Sequence, residues 1–179
     1  TSKKFTEDTH NKIVSKLNFK LTNDQNLSLL DINKDLKSKS KMFRLLQGDV
    51  GSGKTIVSLI SALSVIDSGF QVALMAPTEI LARQHYNLAK TLFPTNVSIE
   101  LLSSKSKNIE KKKIIKELKD NKIQMVFGTH AIFQKKIIFN NLGYIIIDEQ
   151  HKFGVRQRKL LSDKGGKNCD VLLMSATPI

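Results

Sequence analysis

The stretch Arg44-Leu45-Leu46-Gln47-Gly48-Asp49-Val50-Gly51-Ser52-Gly53-Lys54-Thr55 decides the fold. A short apolar segment runs through a glycine-rich turn into a sequence whose Leu59, Ala62, Leu63 and Ile66 recur at helical spacing, so the order is strand, loop, helix. The helix is expected from Gly53 to about Asp67. Gly48 to Thr55 also fits the phosphate-loop pattern G-x-x-x-x-G-K-[ST], and its place between strand and helix is the context that pattern requires. Gly48, Gly51, Ser52 and Gly53 let successive backbone N–H groups turn inward around phosphate oxygens at a helix N-terminus. Lys54 is placed to reach the outer phosphates, and the Thr55 hydroxyl to ligate Mg²⁺. The plainer alternative is a glycine turn that opens an ordinary helix.

Outward from this stretch, short apolar runs alternate with amphipathic ones, the rhythm of βαβ units. Strands are expected near Arg44 to Gln47, Gln71 to Ala76, Val97 to Leu102, Ile123 to Phe127, Gly143 to Ile147 and Val171 to Ser175. Helices are expected from about Asn23 to Leu36, Thr78 to Phe93 and Asn108 to Asp120. The fold class is therefore α/β, a parallel sheet with helices on both faces. Residues 1–18 have weak periodicity and mixed charge and read as an N-terminal tail or linker; residues 19–179 read as one lobe, truncated after Ser175-Ala176-Thr177.

Asp148-Glu149-Gln150-His151 follows the apolar run Tyr144 to Ile147, so two acids emerge at the carboxyl end of a buried strand, the edge where open α/β sheets bind ligands. Asp148 can hold a Mg²⁺ ion that bridges phosphates, and Glu149 can orient and polarise an attacking water. A solvated acidic turn would look the same in isolation. Together with the loop at Gly48 the pair points to a nucleoside-triphosphatase site, with ATP and Mg²⁺ as the expected cofactors.

Composition narrows the classes. The 179 residues are enough for one domain with a sizeable core, and 40% hydrophobic with 25% charged residues is a globular balance. No apolar run approaches the roughly 18 residues that span a bilayer. A single cysteine, Cys169, forms no internal disulfide, and no secretory leader pattern opens the chain, so the cytoplasm is the expected location, with no membrane partner. Twenty-nine Lys plus Arg against sixteen Asp plus Glu, net +13, make a polyanionic partner plausible, although a biased genome rich in Lys, Ile and Asn gives the same excess. The segment Ser103 to Lys122 concentrates lysines, with Ile109, Ile114, Ile115 and Leu118 as the expected buried stripe; a solvated helix face accounts for most of that charge.

In order along the chain, Leu45 to Thr55, Ala76-Pro77-Thr78-Glu79-Ile80-Leu81-Ala82, Gly128-Thr129-His130-Ala131, Asp148 to Val155 and Ser175 to Ile179 resemble the motifs of superfamily 2 helicases, first RecA-like ATPase lobe. Ser52 and Gln150 bring the likeness nearest to the RecG-type DNA helicases; the transcription-repair coupling translocases are the alternative. The likeness runs from about Phe19 to the last residue.

The resemblance implies further roles. Gln25, in Phe19 to Gln25, would read the adenine edge, while Thr22-Asn23-Asp24-Gln25 also fits a capping box needing no ligand, and both can hold. Pro77, Thr78, Thr129 and His130 would meet the phosphates of a DNA strand, although Thr78 is also a natural N-cap. Gln150, His151, Ser175 and Thr177 would couple the nucleotide to DNA. Arg156 and Arg158 fit the family pattern without a derivable role. Implied partners are branched DNA (replication forks, Holliday junctions), a second RecA-like lobe and a wedge domain, within a monomer active in recombination and repair. Arginines of the second lobe would touch the γ-phosphate, so the fragment alone is expected to bind ATP but hydrolyse it poorly. A non-catalytic P-loop interaction module is the alternative from another class, and the intact Lys54, Thr55, Asp148 and Glu149 weigh against it.

Overall fold

A computed structural model describes residues 3–5, 7–48, 53–148 and 169–175. In chain order the elements are α1 (Glu7–Ser15), α2 (Asn23–Lys37), β1 (Phe43–Gln47), α3 (Lys54–Asp67), β2 (Gln71–Met75), α4 (Glu79–Leu92), β3 (Ile99–Leu102), α5 (Asn108–Lys119), β4 (Met125–Gly128), a 3₁₀ turn (His130–Phe133), β5 (Leu142–Asp148) and β6 (Asp170–Ser175). The six strands form one sheet in the order β1-β6-β5-β2-β4-β3, and every pairing is parallel.

The helix positions follow from strand order. The chain steps in one direction from β1 to β2 to β3, then reverses through β4, β5 and β6. Because a parallel crossover is right-handed, helices on the outward steps fall on one face and those on the return fall on the other. The packing obeys this: residues of α3 and α4 join a core with Val72, Leu74, Tyr144, Ile146, Leu172 and Met174, whereas Ile114 and Leu118 of α5 join Ala73, Met75, Ile145, Ile147, Val171 and Leu173. Alternate residues of each strand therefore serve opposite faces, as the two-residue pleat dictates.

The expected single apolar face of α3 is a correction, because Val57 through Val65 are all buried. The physical reason lies upstream. Residues 1–18 are not a tail in their described part: Phe5 is buried, and Ile13, Val14 and Leu17 pack on the same core as α3. With α2, this segment covers the outer side of α3, and a helix covered on both sides is apolar all round. Three serines of α3, Ser58, Ser61 and Ser64, lie in that interior, where Ser61 Oγ is 3.0 Å from the Tyr144 hydroxyl. A second correction concerns α5, where Ile114 and Leu118 are buried but Ile109 is 81% exposed, because it sits in the first turn before the helix meets the sheet.

Candidate functional site

The glycine loop begins where β1 ends. Gly48 N donates to Ser175 O at 3.3 Å, so the loop starts beside the last residue of β6. Gly53 takes φ 81°, a left-handed conformation, and serves as the N-cap of α3. Lys54 and Thr55 are then the first two residues of that helix, and Lys54 Nζ donates to Gly48 O at 2.7 Å, placing the ammonium across the loop's entrance. Gly51 and Ser52 lie outside the described residues.

Gln25 reaches the same place from α2. Its backbone N donates to Thr22 Oγ1 at 3.2 Å while its own Oε1 accepts from Thr22 N at 2.8 Å, a complete capping box. The remaining amide group, Nε2, points at the loop, 3.5 Å from Gly53 O. A Cβ on Gly53 would drive into Nε2, with Cδ at 3.1 Å. The position therefore requires glycine twice, for its φ and for the approach of Gln25.

Asp148 ends β5. It is level with Met174 of β6, and Met174 is level with Leu46 of β1. Asp148 and the start of the glycine loop thus share the carboxyl edge of the sheet, on strands two spacings or roughly 10 Å apart. Asp148 also continues the alternation of Tyr144 and Ile146, which face α3, so its side chain is on the phosphate-loop side of the sheet. His85 of α4 meets it there, Nε2 to Oδ2 at 2.6 Å, with both side chains largely enclosed (10% and 15% exposed). Nothing in the sequence pattern singled out His85; the signal was a histidine inside the buried stripe Ala82, His85, Ala89 of α4. Glu149, Gln150, His151 and Thr177 lie outside the described residues, as do Arg156 and Arg158, while Ser175 is buried at the end of β6.

A second set of loops leaves the same edge further along. Pro77 and Thr78 follow β2, and Thr129 and His130 follow its neighbour β4, where Met75 pairs with Gly128 and Ala76 N donates to Gly128 O at 2.9 Å. Thr78 is exposed and caps α4, its Oγ1 accepting from Leu81 N at 3.2 Å; His130 is exposed too. Glu79 binds the next loop to this rim: Oε1 accepts from Ser104 N at 2.7 Å and Oε2 from Ser103 Oγ at 2.9 Å. Hydrogen bonds from Ser104, and then Ser103, hold the Glu79 carboxyl down at about 2. Lys111 Nζ donates to Ser104 O at 2.9 Å, so part of the lysine-rich segment also sits at this edge. Cys169 is buried, and that burial pushes its thiol up to about 12, which leaves it inert.

A six-stranded parallel sheet in this order, flanked by helices and presenting loops at one edge, is a RecA-like lobe. The chain belongs to the DEAD/DEAH box helicase family, whose model matches residues 22–179. It is 51% identical over 178 residues to the ATP-dependent DNA helicase RecG of Borreliella burgdorferi, spanning 99% of this chain and 26% of that protein. Against the RecG of Aquifex aeolicus it is 51% identical over 170 residues, or 94% of this chain and 22% of the relative. The chain thus spans about a quarter of the relatives it matches. A solved structure of RecG bound to a three-way DNA junction superposes with TM-score 0.86 at 43% identity, covering 99% of this chain and 24% of that one. A DEAD box protein from Methanococcus jannaschii shares the fold at TM-score 0.65, with 21% identity, 92% of this chain and 50% of that one covered. Among the described residues no helix is long and apolar enough to cross a membrane.

Proposed function

We propose that this chain is the ATP-binding lobe of a RecG-type DNA helicase, a cytoplasmic, monomeric enzyme that remodels branched DNA in recombination and repair. The observation that carries the reading is the shared edge: the glycine loop and Asp148 open on one side of the sheet, roughly 10 Å apart, a span an ion and a phosphate group can fill. The extent and identity of the RecG relatives support the DNA substrate.

In this reading Lys54 neutralises charge on the outer phosphates, and the loop residues Gly48, Gly51, Ser52 and Gly53 offer their amides to phosphate oxygens. Thr55 and Asp148 supply hydroxyl and carboxylate oxygens, the hard donors that suit Mg²⁺, an ion that takes few protein ligands beside phosphate and water. Such an ion, when bound, would supply charge neutralisation to the phosphates. Glu149 orients the water for in-line attack, and Gln25 reads the adenine with the amide its capping box leaves over. Thr78 and Thr129, with Pro77 and His130, hold the DNA backbone, while Gln150, His151, Ser175 and Thr177 couple the two sites. A second RecA-like lobe and a wedge domain complete the enzyme.

The test is nucleotide binding and turnover. A fluorescent ATP analogue should bind the 179-residue chain in a Mg²⁺-dependent way and lose that binding in Lys54→Ala. Turnover should be slow, because an arginine supplied by another lobe is worth about 10³- to 10⁵-fold. In the protein carrying both lobes, Glu149→Gln should retain ATP and stop hydrolysis. Fast DNA-stimulated turnover by the chain alone, or full binding in Lys54→Ala, contradicts the reading.

A further inference from the structure

We infer that His85 is a positioning residue for Asp148, and that helix α4 thereby joins the carboxylate to the loop that opens at Thr78. The inference rests on the proposed nucleotide site and adds a residue to it. His85 Nε2 lies 2.6 Å from Asp148 Oδ2, and both side chains are enclosed between α4 and the end of β5. With a carboxylate opposite, Nε2 carries the proton and donates. That bond fixes one oxygen of Asp148 and so restrains the rotation of the carboxylate, which by strand alternation lies on the phosphate-loop side of the sheet. A carboxylate that must meet a metal in one geometry gains from such a fixed outer partner.

Two features separate this from incidental packing. First, α4 meets the sheet through small apolar residues on either side, Ala82 and Ala89, both essentially buried. An apolar side chain at 85 would complete that stripe without burying a polar pair, which carries a desolvation penalty. Second, α4 is capped by Thr78, and His85 stands seven residues into the chain from that cap, about two helical turns or roughly 10 Å. A displacement of the Thr78 loop thus moves His85 with the helix, and Asp148 registers it through one hydrogen bond.

The experiment compares the wild-type chain with His85→Leu, which keeps bulk and loses the donor, and His85→Gln, whose Nε2 can reach a similar place. The readouts are affinity for fluorescent ADP with and without MgCl₂, and Mn²⁺ binding by paramagnetic resonance with ADP present. In His85→Leu the Mg²⁺ requirement should rise roughly 10- to 100-fold while affinity in EDTA stays at the wild-type value, and His85→Gln should recover most of the loss. Should His85→Leu fail to fold, the wild-type chain still decides: the His85 Nε2–H resonance should be present and should shift when MgCl₂ joins ADP. An unshifted resonance overturns the inference, as does an unchanged Mg²⁺ requirement in folded His85→Leu. A wild-type chain that binds no nucleotide under either condition overturns the parent reading and this inference together, whereas wild-type binding with an indifferent His85→Leu overturns this one alone.

Discussion

Lys3 and Asp170, 167 positions apart, form a buried ion pair: Nζ lies 2.7 Å from Oδ2, with side-chain exposures of 0% and 5%. Asp170 Oδ1 also accepts from Met42 N at 2.6 Å, and Lys3 N donates to Leu36 O at 3.0 Å, so Lys3 is tied to the start of β6 and to the end of α2, and Asp170 in turn to the residue that precedes β1. Removing one member leaves the other charged and enclosed. Lys3→Met should therefore cost about 3–5 kcal/mol. In a chain of this size that lowers the melting temperature by roughly 6–20 °C, read by circular dichroism. Asp170→Asn added to Lys3→Met should restore part of the loss, and an unchanged melting temperature in the single variant would count against the pair.

Gly53→Ala tests the double demand on that glycine. The φ of 81° alone costs an alanine about 1–2 kcal/mol, and the new methyl must also displace the Gln25 amide. Expected are a lower melting temperature and weaker binding of a fluorescent ATP analogue. Wild-type binding in this variant would show that the loop can be rebuilt without Gln25 beside it.

Thr22 and Gln25 share a capping box but differ in what else they touch, which separates folding from recognition. Thr22→Ala should cost about 1 kcal/mol of stability and leave the preference for ATP over GTP intact. Gln25→Ala should lose comparable stability and that preference as well, because only its Nε2 faces the loop at Gly53. Competition binding with the two nucleotides distinguishes the outcomes.

Glu79 predicts an acid-sensitive tether. Its carboxyl is held at about 2 by the bonds from Ser104 and Ser103, below the usual 4.5, so the folded state favours the charged form. The linkage is present in full above about pH 4.5 and is lost as pH falls toward 2. Amide exchange at Ser104 should accelerate over that window. Glu79→Gln should flatten the dependence, and a Glu79 carboxyl resonance titrating near 4.5 would refute the tether.

Much of the architecture was legible because it is written locally. Each strand is a short apolar run between breakers, and the turn at Gly48 to Thr55 requires glycines wherever it occurs, so six strands and the glycine loop can be placed without knowing what they touch. The Thr22–Gln25 cap is local too, since its partners are three residues apart. The packing of residues 1–18 was not legible, because the partner against which Ile13, Val14 and Leu17 are partly buried is the outer side of α3, some forty residues on. Ile109 misled for the converse reason: helical spacing says which residues share a stripe, but not where along it the sheet begins.

The amino-acid sequence by itself determined the class of fold, the glycine loop and the position of an acid at a strand end, because these depend on side-chain size, backbone freedom and a two-residue period. Only the tertiary structure decided that Asp148 shares the loop's side of the sheet, that His85 holds it, and that Lys3 closes on Asp170. Those relations join residues dozens to well over a hundred positions apart, and their energies exist only once the chain has excluded water from the space between them.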